Sequence, residues 1–192
     1  MELTGIILAG GKSSRMGEDK GLAMLRGKRM IEYVIETIKE STNNIIIISN
    51  NLEYSQFGYP VFSDLIIDCG PMGGIYTGLK QSKTKFNLVL SCDMPFINSK
   101  IINYLIHRSV DFEITVPLNN GKIEPLCGIY KKSCSGLFLE LLLKKKYKIY
   151  DSFKYFKVEM AEISELFLNP ELVFMNVNSK NDFINASLYH EN

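Results

Sequence analysis

The chain has 192 residues, 46% hydrophobic and 22% charged, the make-up of one globular domain able to bury its own core. Its 22 Lys and Arg against 21 Asp and Glu leave a net charge of +1, which argues against a general nucleic-acid glove or a membrane-surface protein. Four cysteines (Cys69, Cys92, Cys127, Cys134) without a Cys-x-x-Cys pair fit reduced thiols better than a zinc knuckle or a secreted disulfide scaffold.

Leu3 to Leu8 reads as a buried strand, followed directly by the glycine-rich turn Gly10-Gly11-Lys12-Ser13-Ser14-Arg15-Met16-Gly17. Arg29 to Glu40 places Met30, Ile31, Val34, Ile35 and Ile38 on one helical stripe, opposite Glu32, Glu36 and Lys39. Ile45 to Ile48 is a second buried strand and Pro60-Val61-Phe62 a short third. Gly74 to Lys80 is expected to be a helix entered through a turn at Gly70-Pro71-Met72-Gly73. Phe86 to Leu90 is another strand, and Ser99 to Arg108 a helix capped by Asn98 or Ser99. Further on, Ile114 to Pro117 and Pro125 to Tyr130 read as strands joined across Asn119-Asn120-Gly121. Leu137 to Leu143 is helical, its following Lys144-Lys145-Lys146 complementing the helix dipole. Ser179-Lys180-Asn181-Asp182 resembles a capping box opening a last helix.

Strand, glycine turn, helix and strand in repetition predict an α/β fold: a three-layer, doubly wound, mainly parallel, Rossmann-like sheet. In such sheets ligands sit beyond the carboxyl ends of the strands, so the loops after Leu8, Ile48, Phe62 and Leu90 converge on one rim. No linker or repeat divides the chain, and one domain over residues 1–192 is expected. No apolar run approaches the roughly 20 residues that span a bilayer. Met1-Glu2-Leu3-Thr4-Gly5 lacks the basic region of a signal peptide, and a cytoplasmic protein is expected.

The loop Leu8 to Gly17 carries the strongest chemical signal. Glycines after a first strand let backbone N–H groups wrap an anion, and Ser13, Ser14, Arg15 and Lys20 add donors suited to phosphate. A Walker A loop is excluded because position 6 is Ile, and the Gly-x-Gly-x-x-Gly fingerprint is absent. Asp93, in Ser91-Cys92-Asp93-Met94-Pro95-Phe96 after a buried strand, is a candidate Mg²⁺ ligand or a turn aspartate. Asp64 raises the same question at the same rim. Only His107 and His190 are present, so histidine-driven nucleophilic catalysis is poorly supplied, and Cys92 reads as a small buried hydrophobe.

In combination the segments are more specific. Leu8-Ala9-Gly10-Gly11, Ser13, Arg15-Met16-Gly17, Asp19-Lys20 and Ser91-Cys92-Asp93-Met94-Pro95-Phe96 resemble the bacterial molybdenum cofactor guanylyltransferases, the MobA-type family of the nucleotidyltransferase fold. The resemblance continues through Gly27-Lys28, Ile48-Ser49-Asn50-Asn51, Pro60-Val61 with Asp64, Gly70-Pro71-Met72-Gly73-Gly74-Ile75, Glu124-Pro125-Leu126 and Phe174-Met175-Asn176-Val177-Asn178-Ser179. It is weakest from about Lys144 to Leu172. Asn50-Asn51-Leu52 departs from the Ala-Asn-Arg that many members carry.

The resemblance implies transfer of GMP from GTP to molybdenum-molybdopterin, with pyrophosphate released. It implies nucleotide contacts from Leu8, Ala9 and Gly10, phosphate contact from Lys20, guanosine contacts from Asn51 and Asp64, and Mg²⁺ on Asp93; the residues themselves add Gly11 to the nucleotide loop and Arg15 as a catalytic candidate that either reaches phosphate or pins the loop through local hydrogen bonds. Residues 1–97 are then the nucleotide-binding half and residues 98–192 the acceptor-binding half, with Pro117 to Lys122 and Glu124-Pro125-Leu126 as one pterin wall. Delivery of the product to molybdoenzymes or their chaperones, by a monomer without nucleic-acid or membrane partners, completes the expectation. The alternatives are a related nucleotidyltransferase using CTP or another acceptor, and a nucleotide-binding module without turnover.

Overall fold

The computed structural model describes residues 1–10, 19–164, 166, 170–177 and 179–188. The phosphate-loop residues Gly11 and Arg15 therefore lie outside the described residues. In chain order the elements are β1 (Leu3–Leu8), β2 (Met24–Leu25), β3 (Lys28–Arg29), α1 (Met30–Lys39), β4 (Ile45–Ile48), β5 (Val61–Phe62), α2 (Gly70–Gln81) and β6 (Phe86–Ser91). They continue as α3 (Ser99–Arg108), β7 (Ile114–Asn119), β8 (Lys122–Ile123), β9 (Cys127–Lys131), α4 (Ser135–Leu143), α5 (Ile149–Ser152), β10 (Val158–Glu162), α6 (Pro170–Val173) and α7 (Lys180–Leu188).

All but the β2–β3 ribbon join one sheet in the order β10-β7-β9-β6-β1-β4-β5, with β8 paired to β7. β1 runs parallel to both β4 and β6, β4 to β5, and β7 to β10, whereas β9 is antiparallel to β6 and β7. This is the expected mainly parallel sheet. The chain winds outward from β1 through β4 to β5, then returns to place β6 on the other side of β1. That reversal creates the switch point at which ligands bind in doubly wound sheets.

Period-2 alternation sorts the side chains of the buried strands into two cores. Leu3 and Ile7 of β1 face α1 and α3, meeting Ile31, Ile38, Ile101 and Leu105, while Ile6 and Leu8 face α2 and α4, meeting Met72, Ile75, Leu79 and Phe138. Helices cover both faces, which is why all six positions of β1 are buried. Close approach is bought with glycine: a Cβ on Gly78 of α2 would stand 2.9 Å from Ile6 Cδ1 and closer still to its Cγ2.

Several ends differ from the sequence expectation. α2 begins at Gly70, so Gly70-Pro71-Met72-Gly73 is its first turn and not a loop before it, Pro71 being tolerated where no helical N–H is required. The Asn120-Gly121 turn has both residues at positive φ (48° and 78°) and joins β7 to the short β8; β9 follows separately from Cys127. Asn98 is the cap of α3, its Oδ1 accepting from Ile101 N–H at 3.2 Å. The capping box at α7 forms as expected, Ser179 N–H donating to Asp182 at 2.7 Å and Asp182 N–H to Ser179 Oγ at 3.2 Å. α4 ends with Lys145 in the left-handed region, φ 57°, and Lys146 N–H reaching back to Leu141 O at 2.9 Å. No helix among the described residues is long and apolar enough to cross a membrane.

Candidate active site

The carboxyl ends of the central strands are laced together by the main chain. Ala9 N–H donates to Ile48 O at 2.9 Å, Cys92 N–H to Leu8 O at 3.1 Å, Ser49 N–H to Phe62 O at 2.9 Å and Ser91 N–H to Leu126 O at 3.0 Å. Over this rim lies a cleft of about 700 Å³, within the usual range of small-molecule sites. Leu8, Ala9, Gly10 and Asp19 line one side, Ile48 to Asn51 and Asp64 another, with Ser91 and Leu126 between. Asp68, Cys69, Gly70, Pro71 and Gly74 close it from α2.

α2 aims its N-terminus at the cleft. Its cap residue Cys69 makes no side-chain capping bond, and Asp68 and Gly70 turn the chain with positive φ of 58° and 60°. First-turn N–H groups and the positive end of the helix dipole thus face the cleft, a setting that favours an anion. Gly74 permits the approach, since a Cβ there would meet Leu8 Cδ2 at 3.1 Å and Asp64 Oδ1 at 3.8 Å.

Asp64 follows β5. Its N–H donates to Asn50 Oδ1 at 3.1 Å and its Oδ2 accepts from Asn50 Nδ2 at 3.5 Å, while Oδ1 is buried without a partner. Burial raises its carboxyl pKa above the usual range, opposed by the Asn50 bond. An unpartnered buried acceptor beside open space is poised for a donor on a ligand.

Asp93 sits in the turn after β6, half-buried, its Oδ1 buried and without a partner. Val177 N–H donates to Asp93 O at 3.0 Å, so the C-terminal segment braces this turn. Asp93 is near enough to Glu124 to help raise that carboxyl's pKa, although burial is the larger cause; Glu124 also accepts from Asn176. Lys20 opens a short 3-10 helix, Lys20–Leu22, immediately after Asp19. Burial pushes the Cys92 thiol up well beyond its usual range, helped by Asp93 and Asp19 and opposed by Lys20. Lys20 and Asp93 therefore both lie within electrostatic reach of Cys92, and that thiol is inert as a nucleophile. Asp93 and Lys20 stand beside the cleft lining and not in it.

Asn51 is tied on both ends of its amide: Oδ1 accepts from Glu53 N–H at 3.0 Å and Nδ2 donates to Asp19 Oδ2 at 3.2 Å. Of the expected pterin wall, Leu126 alone lines the cleft among the described residues. The sequence reading did not assign a role to Asp19, Tyr54, Asn50 or the α2 N-terminus. The Asp19-Lys20 pair was visible as a motif, but a tyrosine buried in a 3-10 helix carries no sequence signal.

Asp93 and Glu124 offer carboxylate oxygens, donors of the hard-cation type, within electrostatic reach of each other, and the orphaned Asp93 oxygen suits a divalent ion of the Mg²⁺ class. Among the described residues no group of three or more His, Cys, Asp or Glu side chains forms a ready-made metal cage. One or two carboxylates plus ligand phosphates is the usual arrangement for Mg²⁺.

A doubly wound sheet with an anion-favouring helix end and unpartnered carboxylate oxygens beyond its strand ends is an α/β fold set up for a phosphate-bearing ligand. The MobA-like NTP transferase domain matches residues 5–156, and the chain belongs to that family. It is 36% identical over 186 residues to a Clostridium perfringens (strain SM101) protein named "Probable molybdenum cofactor guanylyltransferase", covering 96% of this chain and 91% of that one. A Flavobacterium johnsoniae protein of the same name is 41% identical over 150 residues, covering 78% and 79%. The crystal structure of molybdopterin-guanine dinucleotide biosynthesis protein A from Archaeoglobus fulgidus has the same fold, with a TM-score of 0.81 at 24% identity and 96% of each chain covered.

Proposed function

We propose that this protein transfers GMP from GTP to the phosphate of molybdenum-molybdopterin, forming the guanine dinucleotide cofactor and releasing pyrophosphate. The observation that carries the reading is the pair of buried, unpartnered carboxylate oxygens, Asp64 Oδ1 and Asp93 Oδ1, at the switch point of a family fold whose relatives bear that name. In it, residues 1–97 hold the nucleotide and residues 98–192 the acceptor.

The acceptor is a phosphate monoester, whose second pKa near ~6 leaves it largely dianionic at neutral pH. It attacks the α-phosphorus of GTP without needing its proton removed, so a general base is unnecessary. This suits a site whose described histidine, His107, lies in the last turn of α3. The barrier is electrostatic, because two anions approach and charge builds on the departing pyrophosphate. Backbone groups of Leu8, Ala9, Gly10 and Gly11, together with the first turn of α2, hold the phosphates. The Lys20 ammonium and Arg15 guanidinium stabilise the developing charge. Asp64 accepts from the guanosine donors through its orphaned oxygen, and Asn51 borders the same side. Asp93 holds Mg²⁺, with Glu124 adjoining; when bound, the ion neutralises phosphate charge. The product passes from a cytoplasmic monomer to molybdoenzymes or their chaperones.

The test is to incubate the protein with GTP, CTP or ATP, Mg²⁺ and molybdenum-molybdopterin and to measure pyrophosphate and dinucleotide. GTP-dependent release supports the reading. Preference for CTP would retire the guanine assignment, and GTP binding without product would make this a binding module.

A further inference from the structure

Asp19 receives more donors than any surface turn requires. Tyr54 OH and Gly21 N–H both donate to Oδ1, the latter at 3.2 Å, and Asn51 Nδ2 donates to Oδ2 at 3.2 Å. Tyr54 is completely buried, and burial, with Cys92 and Asp19 nearby, holds its phenol proton far above the usual range. Its hydroxyl is thus a donor at every working pH. Gly21 threads between that phenol and Cys92: a Cβ on it would overlap the Tyr54 hydroxyl and stand 3.0 Å from Cys92 Sγ. The segment carrying Lys20 is therefore clamped at both carboxylate oxygens of Asp19 by one element, the 3-10 helix Leu52–Phe57, through its buried Tyr54 and its N-cap Asn51.

We infer that Asp19 is a positioning residue, pinned by Tyr54 and Asn51, which sets Lys20 against the reacting phosphates, so that the buried Tyr54 hydroxyl contributes to turnover without touching substrate. The inference rests on the role proposed for Lys20. Its physical basis is stiffness. A flexible lysine stem loses rotamer freedom when it must hold one place in a transition state, and a backbone already pinned at the preceding residue reduces that cost. The clamp also joins the guanosine side of the cleft, at Asn51, to the phosphate side, at Lys20, through a single carboxylate.

Tyr54→Phe removes only the hydroxyl and leaves the ring packed against Phe57, centroid to centroid 6.2 Å. The experiment is a double-mutant cycle with Lys20→Ala, reading kcat, KM for GTP and Tm in the pyrophosphate assay. Losing one hydrogen bond to a charged acceptor brings about a tenfold loss. We expect kcat of Tyr54→Phe to fall by about that factor with KM changed less than about threefold, and no further fall on adding it to Lys20→Ala. Asp19→Asn, which keeps the size and one acceptor oxygen, should follow the same pattern and serves if Tyr54→Phe folds poorly. Independent, multiplying losses in the double variant would overturn the coupling while leaving the role of Lys20 intact. Wild-type turnover in Lys20→Ala would overturn the Lys20 reading itself, and this inference with it. An unchanged kcat in both Tyr54→Phe and Asp19→Asn would assign the clamp to packing alone.

Discussion

Replacing Asp93 by Asn separates chemistry from folding, because the two carboxamide and carboxylate side chains have nearly the same shape. Oδ1 of Asp93 is buried and unpartnered, so the wild-type protein holds a desolvated oxygen that bears charge. An unpartnered neutral oxygen costs about 1–3 kcal/mol to bury and a charged one more, so Asp93→Asn should keep or raise stability. For a chain of this size each kcal/mol moves Tm by about 2–4 °C, and a rise of zero to about 4 °C is expected. Glu124 adds a pH signature. Its folded pKa is raised, first by burial and then in part by Asp93. A raised carboxyl contributes stability at acid pH that is lost as pH rises through its folded pKa, so Glu124 weakens the fold at neutral pH. Removing the Asp93 charge relieves this, and the gain in Tm, measured in metal-free buffer, should grow from acid to neutral pH. Turnover should move the other way. Loss of a group that holds positive charge against the transition state costs roughly 10²–10³ in kcat, or about 2.7–4 kcal/mol. GTP affinity without Mg²⁺ should be nearly unchanged, while the gain in affinity on adding Mg²⁺ should shrink. An Asp93→Asn protein that melts well below wild type with its Mg²⁺ response intact would show the residue to be structural and refute the reasoning.

Lys20→Ala should lower kcat about 10²-fold or more while Tm stays within a few degrees, checked by pyrophosphate release and a melt; activity near wild type would reduce Lys20 to a surface role. Asp64→Asn should weaken GTP binding. In the wild type, calorimetric GTP affinity should fall as pH drops through the raised Asp64 pKa, since the protonated carboxyl loses acceptor capacity, and the Asn variant should lack that dependence. Gly78→Ala places a methyl against Ile6, and overpacking of about 1–3 kcal/mol outweighs the roughly 1 kcal/mol helix gain. Its Tm should fall with kcat at low temperature unchanged, whereas a stabilised Gly78→Ala would mean that Ile6 repacks freely.

Residues 3–8, 45–48 and 86–90 were legible as buried strands because helices cover both faces of the sheet, leaving apolar runs. The stripe Met30, Ile31, Val34, Ile35 and Ile38 likewise named α1 and its buried face, and the Asn98 and Ser179 caps marked where α3 and α7 begin. Local chemistry sufficed for these, since each signal is contained within a few residues. It also marked Lys20, Asp64 and Asp93, as polar side chains after apolar strands and through the resemblance of their motifs. The start of α2 was misjudged because glycine and proline signal turns locally, while Gly74 and Gly78 are there to let a helix press against Leu8 and Ile6. Partnership was invisible in the same way. Only the sheet order β9-β6-β1-β4-β5 brings Asp19, Asn51 and Tyr54 together across 32 to 35 positions of sequence, or sets Glu124 near Asp93. A sequence records which side chains a strand end carries; which oxygen ends buried, paired or orphaned is decided by long-range packing, and that is where this site takes its chemistry.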